Sequence, residues 1–456
     1  MGMHFIHLEV YHIVPALVGG FVLFFGLVSS LVKERLFVSD ALVAFLFGVV
    51  IGPVALGIVD PSVWDAANTF TLEFARVTIA IQVFAAGLSL PKKYMLKEAR
   101  SLAMLLLPVM FAAWLVSGAI IYAFFPLSYL EALVISSCIT PTDPVLANSI
   151  VKGRFAEKYV PVHVRDLISA ESGANDGLGF PYLFFAIFML EYNTTREALG
   201  EWFIMIWGYQ IFLSIVIGLA AGYAARKVLQ YSYLHDMVDK ESLLAYWLAL
   251  ALFLMGTVAI IGSDDLFCCF VAGNSFNWDN WFHSKTQEGE LQEVVDMLFN
   301  FSFFIYFGTA IPWAQFSSQL GSLVAAGTLV ILFRRIPGLL LATPYISALH
   351  TWREAIFAGW FGPIGVGAIF YAMVAIEELE SYENEYRVVP YIFPIVSFMV
   401  LCSIVVHGVT IPIFMVGKQL KARAVRPPAT YMLQGSKLSP ALARSDSSSS
   451  TTINLD

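Results

Sequence analysis

Charge is what this sequence has least of. Asp, Glu, Lys and Arg make up only 13% of its 456 residues and the mean hydropathy is +0.74, a composition far from that of water-soluble globular proteins. Cysteine is nearly as scarce. The four, Cys138, Cys268, Cys269 and Cys402, all lie in apolar stretches without CxxC or Cys/His spacing, which argues against a disulfide framework or a zinc site. The net charge of −8 comes with no basic stripe interleaved with aromatics, which argues against nucleic acid as a partner. Filter motifs such as TVGYG are missing, against a cation channel. The YD and GxGD pair of an intramembrane aspartyl protease is missing too, and "GSDD" at 262–265 does not replace it. No enzyme chemistry and no cofactor are expected.

What is abundant is long apolar runs, with 58% hydrophobic residues and 38 phenylalanines. A bilayer-spanning helix needs about 20 mostly apolar residues. That ruler gives thirteen candidate spans, at about 10–31, 40–58, 70–90, 101–124, 128–150, 164–190, 203–228, 242–261, 263–277, 295–314, 321–344, 353–375 and 389–416. The first, near Tyr11, is followed by many more and reads as a transmembrane helix, not a cleavable signal. The expected fold class is an all-α polytopic membrane protein. Thirteen crossings with the N-terminus outside put Lys33, Arg35, Lys92, Lys93, Lys97, Arg100, Lys152, Arg154, Lys158, Arg165, Arg226, Lys227, Lys418, Lys421, Arg423 and Arg426 on the cytoplasmic side. The outward loops keep essentially Arg196 and Arg387 and the acidic run "EELESYENE" at 377–385. This is the positive-inside asymmetry, and it requires the short ninth span to cross. Residues 418–456, with prolines and "SDSSSSTT", read as a disordered cytoplasmic tail whose serines could be phosphorylated or bind regulators.

Two spans carry helix breakers at their centres. Span five has Pro141 and Pro144 around Thr142 and Asp143; span twelve has Gly359, Gly362, Pro363, Gly365 and Gly367. Unwound backbone at membrane depth is tolerated only against protein or a water-filled cavity. Either cluster alone could be an ordinary kink or close helix packing. Lying seven spans apart, they match inverted repeats formed by spans one to six and eight to thirteen, an arrangement that points to a transporter's binding site.

Span six adds polar groups on one face, Glu171, Ser172, Asn175 and Asp176, at spacings of three and four residues. An ionised residue at the helix centre costs roughly 2.5 to 3.5 kcal/mol on insertion scales. Interhelical hydrogen bonding as structural glue is one account of them. The other is an oxygen-ligand set for a dehydrated Na⁺ or Li⁺, drawn from Asp176, Asn175, Ser172, Thr142 and Asp143. Kept from water, the Asp176 carboxylate would be neutralised either by a proton or by a cation, and the two would compete. In span eleven, Arg334 and Arg335 are too costly to face lipid. Arg335 is preferred as the partner of Glu171, with snorkelling to the interface as the alternative for one of the pair. Asp264 and Asp265, opening span nine, read as helix caps or as a cation-attracting entrance. Arg76 reads as interfacial and His407 as a hydrogen-bonded packing residue in preference to a proton carrier.

Taken together, "TPTDPVLA" (140–147), "ESGANDG" (171–177), "RRIPGLLL" (334–341), "FGPIGVGAIF" (361–370) and "IVVHGVTIP" (404–412) resemble the monovalent cation/proton antiporters, specifically the sodium/proton exchanger group and its fungal plasma-membrane branch. The likeness covers nearly all of the chain except the tail. It implies a homodimer in membrane lipid, with a transmembrane domain over 1–417. Within it, dimerisation spans lie at about 10–90 and 242–314, a mobile core at about 101–190 and 321–416, and a linker helix at about 203–228. It implies elevator-type export of Na⁺ or Li⁺ against H⁺ in the plasma membrane, serving salt tolerance and pH homeostasis. Asp176 would be the exchanging carboxylate, Thr142, Asp143 and Ser172 would complete or support the ion site, and Glu171 and Arg335 would form a structural ion pair. An Asn at 175 in place of a second Asp implies electroneutral exchange, unless Asp143 also titrates. A K⁺ exchanger would use the same oxygens. The tail looks short beside those of many fungal relatives, which tells against regulation by a long tail.

Overall fold

The structure, a computed structural model, describes residues 10–36, 38–144, 146–147, 158–286, 291–382 and 386–424. Lys152, Arg154, Arg426 and the serine run of the tail lie outside the described residues. The described residues are all-helical, with seven helical stretches long and apolar enough to cross a membrane and several shorter apolar helices beside them. The outward surface is apolar, with Leu27 86% and Ile260 85% exposed. Such a surface suits lipid and not water. The chain is a multi-pass membrane protein.

The main helices are α1 (Val10–Ser30), α2 (Asp40–Ile51), α3 (Ala67–Ser89), α4 (Ala99–Phe124), α5 (Tyr129–Ile139), α6 (Val162–Asn175), α7 (Phe180–Glu191) and α8 (Thr195–Leu234). They continue as α9 (Lys240–Ile260), α10 (Asp265–Phe276), α11 (Leu291–Ala310), α12 (Leu320–Phe333), α13 (Ile336–Ala342), α14 (Trp352–Trp360), α15 (Val366–Ser381) and α16 (Val389–Ala424). Short α10, buried along most of its length, packs against α3, α8 and α9, while α11 packs against α2 and α3. A second set joins α4 to α5 and α12, and α5 to α7 and α15. Helix α3 lies between them, touching α6 and α15 as well as α10. The first part of α8 packs on α7 and its second part on α10.

Three expectations need correction. The second span does not run to 58, because α2 ends at Ile51. Gly52 and Pro53 follow at once, and Gly57 takes a positive φ of 61° in the turn that returns the chain. Span eleven is not one continuous helix: it breaks at Arg334 and Arg335 between α12 and α13, with Pro337 in the first turn of α13, where proline costs no hydrogen bond. Span six also breaks, passing through a 3₁₀ turn at Gly177–Gly179 directly after Asp176.

Candidate functional site

The two helices carrying breakers meet at their breaks. Helix α5 stops at Ile139, and helical structure resumes at Pro144. Span twelve is open between Trp360 and Val366. Within the gaps the Asp143 N–H donates to the Pro363 carbonyl at 2.9 Å, tying one broken segment to the other. The Asp143 carboxylate accepts the Leu146 N–H at 3.0 Å, an N-cap on the second half of span five.

Broken helices leave carbonyls without partners, and Arg334 collects them. Its Nη1 donates to the carbonyls of Ile139, Thr140 and Pro141, and its Nη2 to that of Gly362. One buried cation thus serves the C-terminal ends of α5 and α14 together, where the helix dipoles favour positive charge. The snorkelling alternative does not describe Arg334, which is buried and bonded inside the protein. Arg335 takes a different partner: its two terminal nitrogens each lie 2.5 Å from an oxygen of Glu171, a bidentate pair, and its Nε donates to the Ala358 carbonyl at 3.1 Å.

Other backbone ends freed in span twelve are held by α16. Ser403 Oγ accepts the Ile364 N–H at 2.7 Å and lies 3.2 Å from His407 Nδ1, while His407 Nε2 lies 2.8 Å from the Trp360 carbonyl. Nδ1 also lies 2.9 Å from the Ser403 carbonyl, so both ring nitrogens face backbone carbonyls and the ring bridges α16 to the end of α14. His407 is a packing residue whose work is to hold the break open.

Thr142, Ser172 and Asn175 come together, but not as three free ligands. The Thr142 N–H donates to Asn175 Oδ1 at 3.2 Å, Asn175 Nδ2 donates to Thr142 Oγ1 at 2.8 Å, and Ser172 Oγ is 3.1 Å from Thr142 Oγ1. Both ends of the Asn175 amide are thereby engaged. Asn175, expected among the ion ligands, clamps the unwound Thr142 in place, because its carbonyl oxygen is the acceptor that the broken helix lacks.

Asp176 differs from every polar neighbour. It is 1% exposed, and among the described residues neither of its carboxylate oxygens has a hydrogen-bond partner. Its backbone carbonyl, released by the turn at Gly177, is taken by the Tyr371 hydroxyl. The carboxylate faces α15 at Gly367, where an added Cβ would sit 2.7 Å from Oδ1, and two residues earlier a Cβ on Gly365 would run into the Asp143 carboxylate. Both acids therefore flank the same crossover, and only glycine leaves them room. Gly367→Ala is expected to push the Asp176 carboxylate aside with little loss of folded protein, measured as the folded yield in detergent against wild type.

Asp264 caps α10 by accepting the Phe267 N–H at 2.8 Å. Asp265 lies 3.8 Å from Arg76 Nε. Arg76 in turn bonds Glu73 at 2.9 Å and lies over the Phe370 ring, so it serves the packing of α3 on α10 and α15 and is not merely interfacial. Beside the site a small cavity is lined by Thr140, Glu171, Asn175, Arg334 and Arg335 together with apolar residues of α4.

Residues 20–417 match the family described as "Sodium/hydrogen exchanger, transmembrane". The chain belongs to the sodium/hydrogen exchanger family. Among relatives of this exchanger-family chain, a Na⁺/H⁺ antiporter of Saccharomyces cerevisiae is 41% identical over 90% of the chain and 44% of its own length. A Na⁺/H⁺ antiporter of Schizosaccharomyces pombe is 35% identical over 92% of the chain and 94% of its own length. The chain spans about half the length of three of the curated relatives it matches, the Saccharomyces cerevisiae one among them, at 44% to 57%. A solved structure of the sodium proton antiporter from Methanocaldococcus jannaschii superposes with a TM-score of 0.67, covering 88% of this chain and all of that one at 16% identity. That likeness is one of fold.

Sequence reasoning missed three residues of the candidate site: Arg334 as the collector of carbonyls, Tyr371 as the cap on the Asp176 carbonyl, and Ser403. For Arg334 a signal was present, since the carbonyls freed by two broken helices need a buried donor from somewhere. Tyr371 stands among alanines and phenylalanines with no local pattern to single it out. Ser403 and His407 are four residues apart, which alone says only that they share a helix face.

Proposed function

We propose that this chain exchanges Na⁺ or Li⁺ for H⁺ by alternating access, with the two ions competing for Asp176. The observation that carries this reading is a buried carboxylate with no hydrogen-bond partner among the described residues, set where two interrupted helices cross. A buried anion in that condition is costly, and either a proton or a small cation relieves it. Only one can do so at a time. Thr142 and Ser172 supply neutral oxygens nearby, and Asp143 is held as a helix cap. The Glu171–Arg335 pair is internally neutral, which leaves Asp176 as the one exchanging charge and makes exchange electroneutral.

Thirteen crossings with the N-terminus outside, in the plasma membrane, follow from the charge asymmetry and the resemblance. The two packed sets of helices, with α8 reaching from one to the other, support a division into a dimerisation part and a mobile core that moves as an elevator within a homodimer. Salt tolerance and pH homeostasis are the corresponding physiological roles.

The test is reconstitution in liposomes containing a pH dye. Addition of Na⁺ or Li⁺ should dissipate a preset proton gradient, and an equal concentration of K⁺ should do so at least tenfold more slowly. Comparable rates for K⁺ would make this a K⁺ exchanger, and rates unaffected by any of the three would reject exchange. Rates that change with a clamped membrane potential would reject electroneutrality.

A further inference from the structure

One cluster of metal-ligating side chains lies apart from the exchange site. His163 is the second residue of α6; His350 and Glu354 sit on either side of Thr351, which caps the start of α14. The ligand atoms of the three all lie within 4.8 Å of one another. His163 Nε2 is 3.4 Å from Glu354 Oε2, and the two imidazole rings are 4.4 Å apart at their centroids.

Several features separate this cluster from an ordinary surface ion pair. His163 Nε2 is shielded from solvent and lies 3.4 Å from the carboxylate without a well-aligned hydrogen bond among the described residues. Glu354 is already fixed in place: its Oε2 accepts the His350 N–H at 2.7 Å, while its own N–H donates to Thr351 Oγ1 at 3.2 Å. One ligand is thereby preset by a helix cap, a second lies beside it, and the third is on an exposed residue. Zn–N and Zn–O bonds of about 2.0 to 2.1 Å in tetrahedral geometry put ligand atoms about 3.4 Å apart. The His163–Glu354 spacing already equals such an edge, so only the His350 ring has to rotate.

We propose that His163, His350 and Glu354 form a transition-metal site of the Zn²⁺ class. Two imidazoles and one carboxylate are the donors such ions take, with a fourth position left for water. The absence of cysteine spacing argued against zinc in the sequence. It did not exclude a site assembled from residues nearly two hundred positions apart. The metal ties the start of α6 to the start of α14; α6 carries Glu171 and ends directly before Asp176, and α14 carries the Ala358 carbonyl held by Arg335. The site stands independently of the exchange reading.

The experiment is Zn²⁺ titration of the purified, tag-free chain in detergent against a chromophoric chelator, followed by Co²⁺ substitution and visible absorption. Wild type should take up one equivalent, and its Co²⁺ form should show bands of nitrogen and oxygen ligation. His163→Ala and His350→Ala should each weaken binding at least tenfold and remove those bands. Both substitutions leave the Thr351–Glu354 cap and the His350 backbone N–H intact, so the variants should remain folded, checked by unfolding in excess chelator. No stoichiometric Zn²⁺ on wild type, or the same affinity and spectrum in both variants, overturns the proposal.

Discussion

Asp176→Asn is expected to abolish Na⁺- and Li⁺-driven proton movement, to at least a hundredfold below wild type, while the protein still inserts and folds. The amide has nearly the shape of the carboxylate but can hold neither a proton nor a compensating negative charge for the cation. Its described polar neighbours have partners of their own. Asn175 is committed to Thr142, the Asp143 carboxylate caps Leu146, and Glu171 is paired with Arg335. The same substitution should leave thermal stability unchanged or raise it, since it replaces a buried carboxylate, costly when ionised, with a neutral amide of the same shape. Loss of transport together with loss of folded protein would instead make Asp176 a structural residue.

The second large effect is on stability. Glu171 and Arg335 are 2% and 6% exposed, and each oxygen of the carboxylate meets a guanidinium nitrogen. Removing one member of such a pair strands the other charge away from water, at a cost of about 3 to 5 kcal/mol. Arg335→Met should therefore lower the unfolding midpoint markedly, and Glu171→Met similarly. Because the desolvation cost of the pair is nearly as large as its attraction, the double variant should recover most of the loss. Fluorescence-monitored unfolding of the three variants in one detergent checks this, and additive losses in the double variant would contradict it. Arg334→Met should not be rescued by any change at Glu171, because Arg334 answers to backbone carbonyls.

The sequence carried the breaks in spans five and twelve openly, because proline and clustered glycine in an apolar run have few other readings. It also carried the polar face of span six, since ionisable residues are rare among so many apolar ones. The end of α2 is legible at Gly52 and Pro53, although the apolar run continues past it to 58. The break between α12 and α13 is legible at Pro337, which belongs in a helix's first turn, although the apolar run continues on both sides of the two arginines. What could not be read was which oxygen bonds to what. Spacing puts Ser172 and Asn175 on one helix face; only the orientation of Thr142 toward them makes Asn175 a clamp and leaves the Asp176 carboxylate with no hydrogen-bond partner among the described residues. The meeting of His163 with His350 and Glu354 is likewise set by how α6 and α14 pack, which no local pattern encodes.

The most direct test of the central claim counts protons. Calorimetric titration of Na⁺ into the purified protein, in buffers of different ionisation enthalpy, gives the number of protons released for each ion bound. On the acid side of the exchange range the number should approach one, fall toward zero as the medium is made alkaline, and vanish with Na⁺ binding itself in Asp176→Asn. Na⁺ that binds to the wild type at acid pH without releasing a proton would contradict the account.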